Sequence, residues 1–215
     1  MIDYQLSAKH YVSLGILILA IMIASIHPLE LEAYVLHQAG TVFMIIMLLI
    51  CLYKIGLNFL SFNLCIVFLI VHVIAAHYLY SYVPYNQWIE QFFGFNLNET
   101  MHWSRNMFDR FVHLTYGLLL YPIFYRLFQV FLPQQKPVVI FLLVIQFVVA
   151  SSMLYEWLEW LIAIGLSPEE AENYNGQQGD MWDAHKDILL ATIGAAITGG
   201  LQLIPSNRKA HRSEL

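Results

Sequence analysis

Six long apolar runs, near residues 11–27, 40–53, 62–82, 109–132, 137–164 and 184–204, dominate the chain. A bilayer core takes roughly 20 apolar residues of helix. Lipid offers the backbone no hydrogen-bond partners, so each run that crosses it is expected to be helical. The second run is short alone, but Tyr34, Leu36, Ile55 and Leu57 extend it to a span of about 36–56. Six spans would use most of the 215 residues and leave short loops. With 59% hydrophobic and 12% charged residues, against about a quarter charged in soluble domains, a water-soluble fold is excluded. The expected fold is all-α: residues 1–215 form one integral membrane domain, a polytopic six-transmembrane-helix bundle. Lys9 before the first run gives it the look of a secretory signal. No small-x-small cleavage site follows at Ile23-Ala24-Ser25-Ile26, so it reads as an uncleaved anchor.

Basic residues near span ends are retained on the cytoplasmic side. Lys9, Lys54, Arg126, Lys136, Arg208, Lys209 and Arg212 fall on one side of a six-span chain, and Arg105, Arg110 and Lys186 on the other. Both termini are therefore expected in the cytoplasm. Of fifteen acidic residues, all except Asp3 and Glu214 fall at the outer side, which marks that face as the working one. Cys51 and Cys65 lie near cytoplasmic span ends, where packing is the expected role and a disulfide is not. Trp88, Trp103, Trp157, Trp160 and Trp182 gather at the opposite boundary, as an interfacial belt does. The connection from Val83 to Phe108 carries Trp88, Ile89, Phe92, Phe93 and Phe95 among Asn86, Gln87, Glu90 and Gln91. As a helix it would be amphipathic, an interfacial segment between spans three and four.

Charge inside so apolar a chain is concentrated in three stretches. Asp109, His113 and Tyr116 follow i, i+4, i+7 spacing and share a helix face. An acid and an imidazole in register suit either a metal pair or an acid/base pair; helix capping by Asp109 is the structural alternative. Glu156 and Glu159 lie three apart near the outer end of span five. Carboxylates at such depth need counter-charges, protons or a metal, and Arg105 or Arg110 are available as structural partners. Asp180, Asp183, Asp187, Ala191, Gly194 and Thr198 form one stripe if a helix begins near Asp180. Its acidic outer part suits capping or ligation, and its small inner part suits close helix packing. The catalytic candidates are His113, Asp109 and Glu159. The metal-ligand candidates are Asp109, His113, Glu156, Glu159, Asp180, Asp183 and Asp187. Of the histidines in span three, His77 is nearer the outer face, whereas His72 is expected to bond a neighbouring helix.

The blocks Arg105…Asp109-Arg110-x-x-His113-x-x-Tyr116-Gly117, Glu156-x-x-Glu159-Trp160 and Gln178-Gly179-Asp180-x-Trp182-Asp183-x-x-x-Asp187 together resemble the YjdF family of bacterial inner-membrane proteins. The resemblance covers roughly residues 100–200. It implies a multi-pass protein of the bacterial inner membrane and supplies no reaction. A fainter similarity links Asp109-Arg110-x-x-His113, Glu156/Glu159 and Asp183–Asp187 with Gly194 to VanZ-like membrane proteins. These often carry an amide where Glu159 and Asp187 stand here. That similarity implies a shared polar site and an envelope role.

The sequence does not decide whether the chain is an enzyme. One reading is a non-catalytic envelope protein with an acidic/His network in the outer leaflet. The second is a metal-dependent hydrolase or transferase that uses a divalent cation on a lipid-linked envelope substrate. The third is proton- or cation-coupled transport, for which an inverted repeat is not apparent. Membrane lipid is the expected surrounding; a pI near 5.9 and the scarcity of charge exclude nucleic acid.

Overall fold

The computed structural model describes residues 1–167, 171, 174–175 and 177–213, with side chains as far as residue 204. Arg208, Lys209 and Arg212, counted above in the charge asymmetry, therefore lie outside the described side chains, and Glu214 outside the described residues. Helices supply nearly all regular structure: α1 (Ala8–Ala24), α2 (Leu31–Ile55), α3 (Phe59–His77), α4 (Tyr85–Phe93), α5 (Leu97–Met101), α6 (Phe108–Phe131), α7 (Pro137–Gly165) and α8 (Asp183–Ser213). Asp3 and Leu57 form an isolated antiparallel bridge. Five helices, α2, α3, α6, α7 and α8, are long and apolar enough to cross a membrane, while α1 is apolar but shorter, at 17 residues.

Local chemistry sets several boundaries. The Asn58 side chain accepts from Ser61 N–H at 2.8 Å and starts α3. That helix stops at His77, not near residue 82, because Leu79 and Tyr80 take left-handed conformations with φ 51° and 57°. Tyr80 N–H folds back on Ala75 C=O at 2.7 Å. Pro137 opens α7, where its missing N–H is not needed. The last helix begins at Asp183, so Asp180 stands in the turn before it.

Two apolar cores share α6. Leu17, Leu52, Phe62, Leu69, Val73 and Leu120 join α1, α2 and α3 to one side of it. Tyr121, Val144, Val148, Ala191 and Ala195 join α7 and α8 to the other. The α6–α8 contact is the closest. A Cβ on Gly117 would come within 1.8 Å of Ala191 O, and one on Gly194 within 2.2 Å of Leu114 O. Thr198 Oγ1 donates to Leu118 C=O across the same seam at 2.7 Å. Small residues thus bring two backbones together, as expected of helices in lipid. Large apolar side chains point outward from the bundle, among them Ile18 (55% exposed), Phe43 (62%), Leu142 (56%) and Leu189 (57%), a surface that suits hydrocarbon and not water.

Candidate functional site

The α6–α8 seam brings the first and third charged stretches together. Arg110, 5% exposed, reaches across to three aspartates. Its Nη2 donates to Asp180 Oδ2 at 3.0 Å and Asp183 Oδ1 at 2.6 Å, and its Nη1 pairs with Asp187 Oδ2. Nη1 also donates to Asp183 C=O at 2.9 Å. Arg105 adds Nη1 contacts to Asp183 Oδ1 at 2.9 Å and Asp180 Oδ2 at 3.5 Å. Lys186 Nζ reaches Asp180 Oδ2 at 2.6 Å. That hydrogen bond, aided by the one from Trp182 N–H, holds the Asp180 carboxyl down at about 2. Asp180 and Asp183 are thereby committed to arginine, whereas Asp187 keeps a second oxygen. Its Oδ1 is buried and has no hydrogen-bond partner among the described residues.

Behind this clamp lies a second group, which shares Asp187 with it. Asp109, His113 and Asp187 are buried, and each offers a ligand atom within 4.8 Å of the others. His113 Nε2 stands 3.6 Å from Asp109 Oδ1 and 3.9 Å from Glu156 Oε1. Glu156 is buried, and its Oε1 has no hydrogen-bond partner among the described residues. The i, i+4 pair from α6, one aspartate from α8 and one glutamate from α7 thus converge, as three separate sequence blocks could not reveal alone. Glu159 is not one of the residues whose ligand atoms converge within 4.8 Å, and it is hydrogen-bonded by Tyr155 of its own helix. Tyr116 does not join the centre; its hydroxyl meets Ser151 Oγ at 2.8 Å.

Next to the acidic group is a neutral polar cluster that sequence reasoning found only in part. His72 Nε2 meets His37 C=O at 3.2 Å, and its Nδ1 bonds the Tyr80 hydroxyl. The interhelical bond expected of His72 is therefore present. Tyr80 in turn hydrogen-bonds Tyr155, whose ring packs on His113 at 6.0 Å between centroids. His37 stacks on Tyr174, 4.6 Å away and 12° from parallel, and burial pushes the Tyr174 hydroxyl up to about 12. His37, Tyr80, Tyr155 and Tyr174 were not picked out from the sequence. His37 and Tyr80 left a trace there, as polar atoms within or beside an apolar run, and Tyr155 did so as the residue that opens the Glu156–Glu159 stretch of the fifth run. His77 lies elsewhere: its Nδ1 meets Ala24 C=O at 2.8 Å and ties α3 to the end of α1. Cys51 and Cys65 are free thiols.

Comparison with known proteins agrees with this layout of apolar helices. Over 139 residues, 65% of this chain, the sequence is 27% identical to "Inner membrane protein YjdF" of Escherichia coli (strain K12). The matched part spans 62% of that protein's own length. The VanZ-like similarity is not shown, and no solved structure matches. A family described as "Predicted membrane protein (DUF2238)" matches residues 9–207. With almost its whole length matched, the chain is a multi-pass membrane protein that belongs to this family, the one that includes YjdF.

Proposed function

We propose that Asp109, His113 and Asp187, with Glu156 as a fourth donor, bind a divalent cation. The bound cation activates water or polarises a phosphoryl or carbonyl group of a lipid-linked envelope substrate. On this reading the chain is a metal-dependent hydrolase or transferase with six spans, α1 completing the set, and both termini in the cytoplasm. The site then opens toward the outer leaflet. The observation that carries it is the pair of buried carboxylate oxygens, Asp187 Oδ1 and Glu156 Oε1. Both lack a hydrogen-bond partner among the described residues and belong to the group gathered around His113. A buried carboxylate oxygen left without a hydrogen bond costs free energy, and a bound cation would offset that cost. Three oxygen donors and one imidazole suit Mg²⁺, Mn²⁺ or Zn²⁺. Arg110, paired with the other oxygen of Asp187, would orient that ligand from outside, as the outer partners of metal ligands do. Asp180, Asp183 and Glu159 are left out of the ligand set, because arginines and Tyr155 already engage them.

Metal content and calorimetric titration of Mg²⁺, Mn²⁺ and Zn²⁺ into the purified chain test the reading. The expected result is binding of one ion per chain that His113→Ala and Asp187→Asn each weaken by at least tenfold. A folded protein that binds none of the three ions would overturn it.

A further inference from the structure

The α3–α6 connection holds a feature that the centre does not use. Helix α4 is amphipathic. At 100° per residue, Trp88, Ile89, Phe92 and Phe93 share one side with Tyr85, and Asn86, Gln87, Glu90 and Gln91 share the other. The first end of the apolar side is tied down: the Tyr85 hydroxyl accepts from Met107 N–H at 2.9 Å and donates to Asn98 Oδ1 at 2.6 Å. Toward the other end, no described residue covers the apolar side. Phe92 is 76% and Phe93 73% exposed, with Phe95 exposed beyond them. This aromatic edge leaves the bundle at the level where α3 ends and α6 begins, which is the end of two membrane-spanning helices.

The polar side borders a cleft of about 370 Å³, lined by Ser81, Asn86, Gln87, Glu90, Asn96 and Asn106 among others. Asn106 is spent on the fold: its Nδ2 donates to Val83 C=O and its Oδ1 accepts from Phe108 N–H. Asn86 and Asn96 use only their carbonyl oxygens, on Asn98 N–H and Glu99 N–H. Both residues line the cleft with Gln87 and Glu90. Its lining contains no Lys, Arg or His, so a bare phosphate finds no cation there. An ammonium finds Glu90, and neighbouring oxygens find amide donors.

We propose that α4 lies in the plane of the membrane interface with its aromatic edge in the acyl boundary, and that the cleft behind it binds the zwitterionic, ammonium-bearing headgroup of a lipid. The lipid's ammonium pairs with Glu90, its phosphate oxygens accept from the Asn86 and Asn96 amides, and its chains run beside Phe92 and Phe93. This assignment is independent of the metal reading, because it uses none of that centre's residues.

Trp88 is the natural reporter. A full-length variant with Trp103, Trp157, Trp160 and Trp182 changed to Phe is reconstituted in vesicles whose lipids carry bromine near the headgroup or deep in the chains. Stronger quenching by the shallow bromines is expected; equal quenching by both, or none, overturns the interfacial placement. If that variant does not fold, Phe92→Cys and Gln91→Cys in the otherwise native chain give the same information. Phe92→Cys is expected to resist a membrane-impermeant thiol reagent that labels Gln91→Cys, and equal labelling overturns the placement. For the headgroup, short-chain phosphatidylethanolamine and phosphatidylglycerol are titrated into the detergent-solubilised chain. The ethanolamine lipid is expected to bind about fivefold tighter, a difference that Glu90→Gln removes. Equal affinities overturn the headgroup assignment. Phosphoethanolamine without chains is expected to bind more weakly than either lipid, and binding as tight as the lipid's would make the ligand a soluble one.

Discussion

Helix α6 carries an arginine near each end, and the two are used in opposite ways. Near its C-terminal end Arg126 donates from Nε to Gly56 C=O at 3.1 Å and from Nη2 to Ile55 C=O at 3.0 Å. There a cation closes the carbonyl end of α2, where the helix dipole favours it, and Gly56 takes φ 69° to end that helix. Near its N-terminal end Arg110 meets three carboxylates, with Asp109 and Glu156 beyond its direct reach. One end of the molecule uses its cation to finish a backbone; the other holds more carboxylates than cations. That surplus of carboxylates is what the proposed cation would balance, whereas the other end is already satisfied.

The largest effect is expected where both ends depend on one contact. Gly117→Val places a branched side chain where a single Cβ already lies 1.8 Å from backbone oxygen. The Ala191 backbone oxygen cannot swing away as a flexible side chain would, so α6 and α8 must part. The seam that brings Asp187 to His113 is then lost, at a cost of at least about 4 kcal/mol, in the range reserved for gross core disruption. Thermal unfolding in detergent is the measurement, and a melting temperature within a few degrees of the parent would contradict the packing described.

The comparison of the arginines comes next in size. Arg110→Met leaves the Asp187 and Asp183 carboxylates without their buried cation, which is expected to cost about 3–5 kcal/mol. Arg126→Met loses hydrogen bonds to two carbonyls at a half-buried site, roughly 1–3 kcal/mol. The ratio matters more than either value. Equal losses would mean that the two ends do not differ in charge balance as the geometry requires. Asp187→Asn in the Arg110→Met background sharpens this: removing one uncompensated charge should recover part of the loss, and no recovery would place the cost elsewhere.

How much of this was legible in the sequence follows from the range of the forces involved. The helices of the apolar runs, five of them long enough to span, were readable because lipid forces every backbone group in a long apolar run into helix, whatever its neighbours. Asp109 and His113 were readable as a pair because one helix turn sets their separation. The small residues Gly194 and Thr198 were readable as a packing stripe for the same reason. What no local rule supplies is the division of labour among the aspartates. Asp180, Asp183 and Asp187 look alike on a stripe, and only the structure shows that Arg110, some seventy residues earlier, pairs with all three while one oxygen of Asp187 keeps no hydrogen-bond partner among the described residues. The end of α3 was misplaced because Leu79 and Tyr80 take left-handed conformations that neither residue type advertises. His37 stayed hidden because its partners, His72 and Tyr174, come from distant segments.

The smallest expected effect is on the solvent side of the clamp, and it concerns pH. Asp180 is held down at about 2 by the Lys186 ammonium first and by Trp182 N–H second, against about 3.9 for an unperturbed aspartate. A carboxylate lowered in the folded state contributes stability that is fully present above its unfolded value. That contribution is lost as the pH falls through the folded one. The Lys186–Asp180 pair is therefore expected to leave stability unchanged between pH 8 and 5 and to withdraw its contribution only from about pH 4 down to 2. Lys186→Ala is therefore expected to lower stability slightly near neutrality, by little because Lys186 is itself exposed and screened by solvent, and to have no effect near pH 2, where the pair has already lost its contribution. A Lys186→Ala effect of the same size at pH 7 as Arg110→Met would show that the exposed rim and the buried clamp are one cooperative unit. A small effect at pH 7 that fades as the pH falls toward 2 would keep them separate, with Arg110 carrying most of the charge balance at neutral pH.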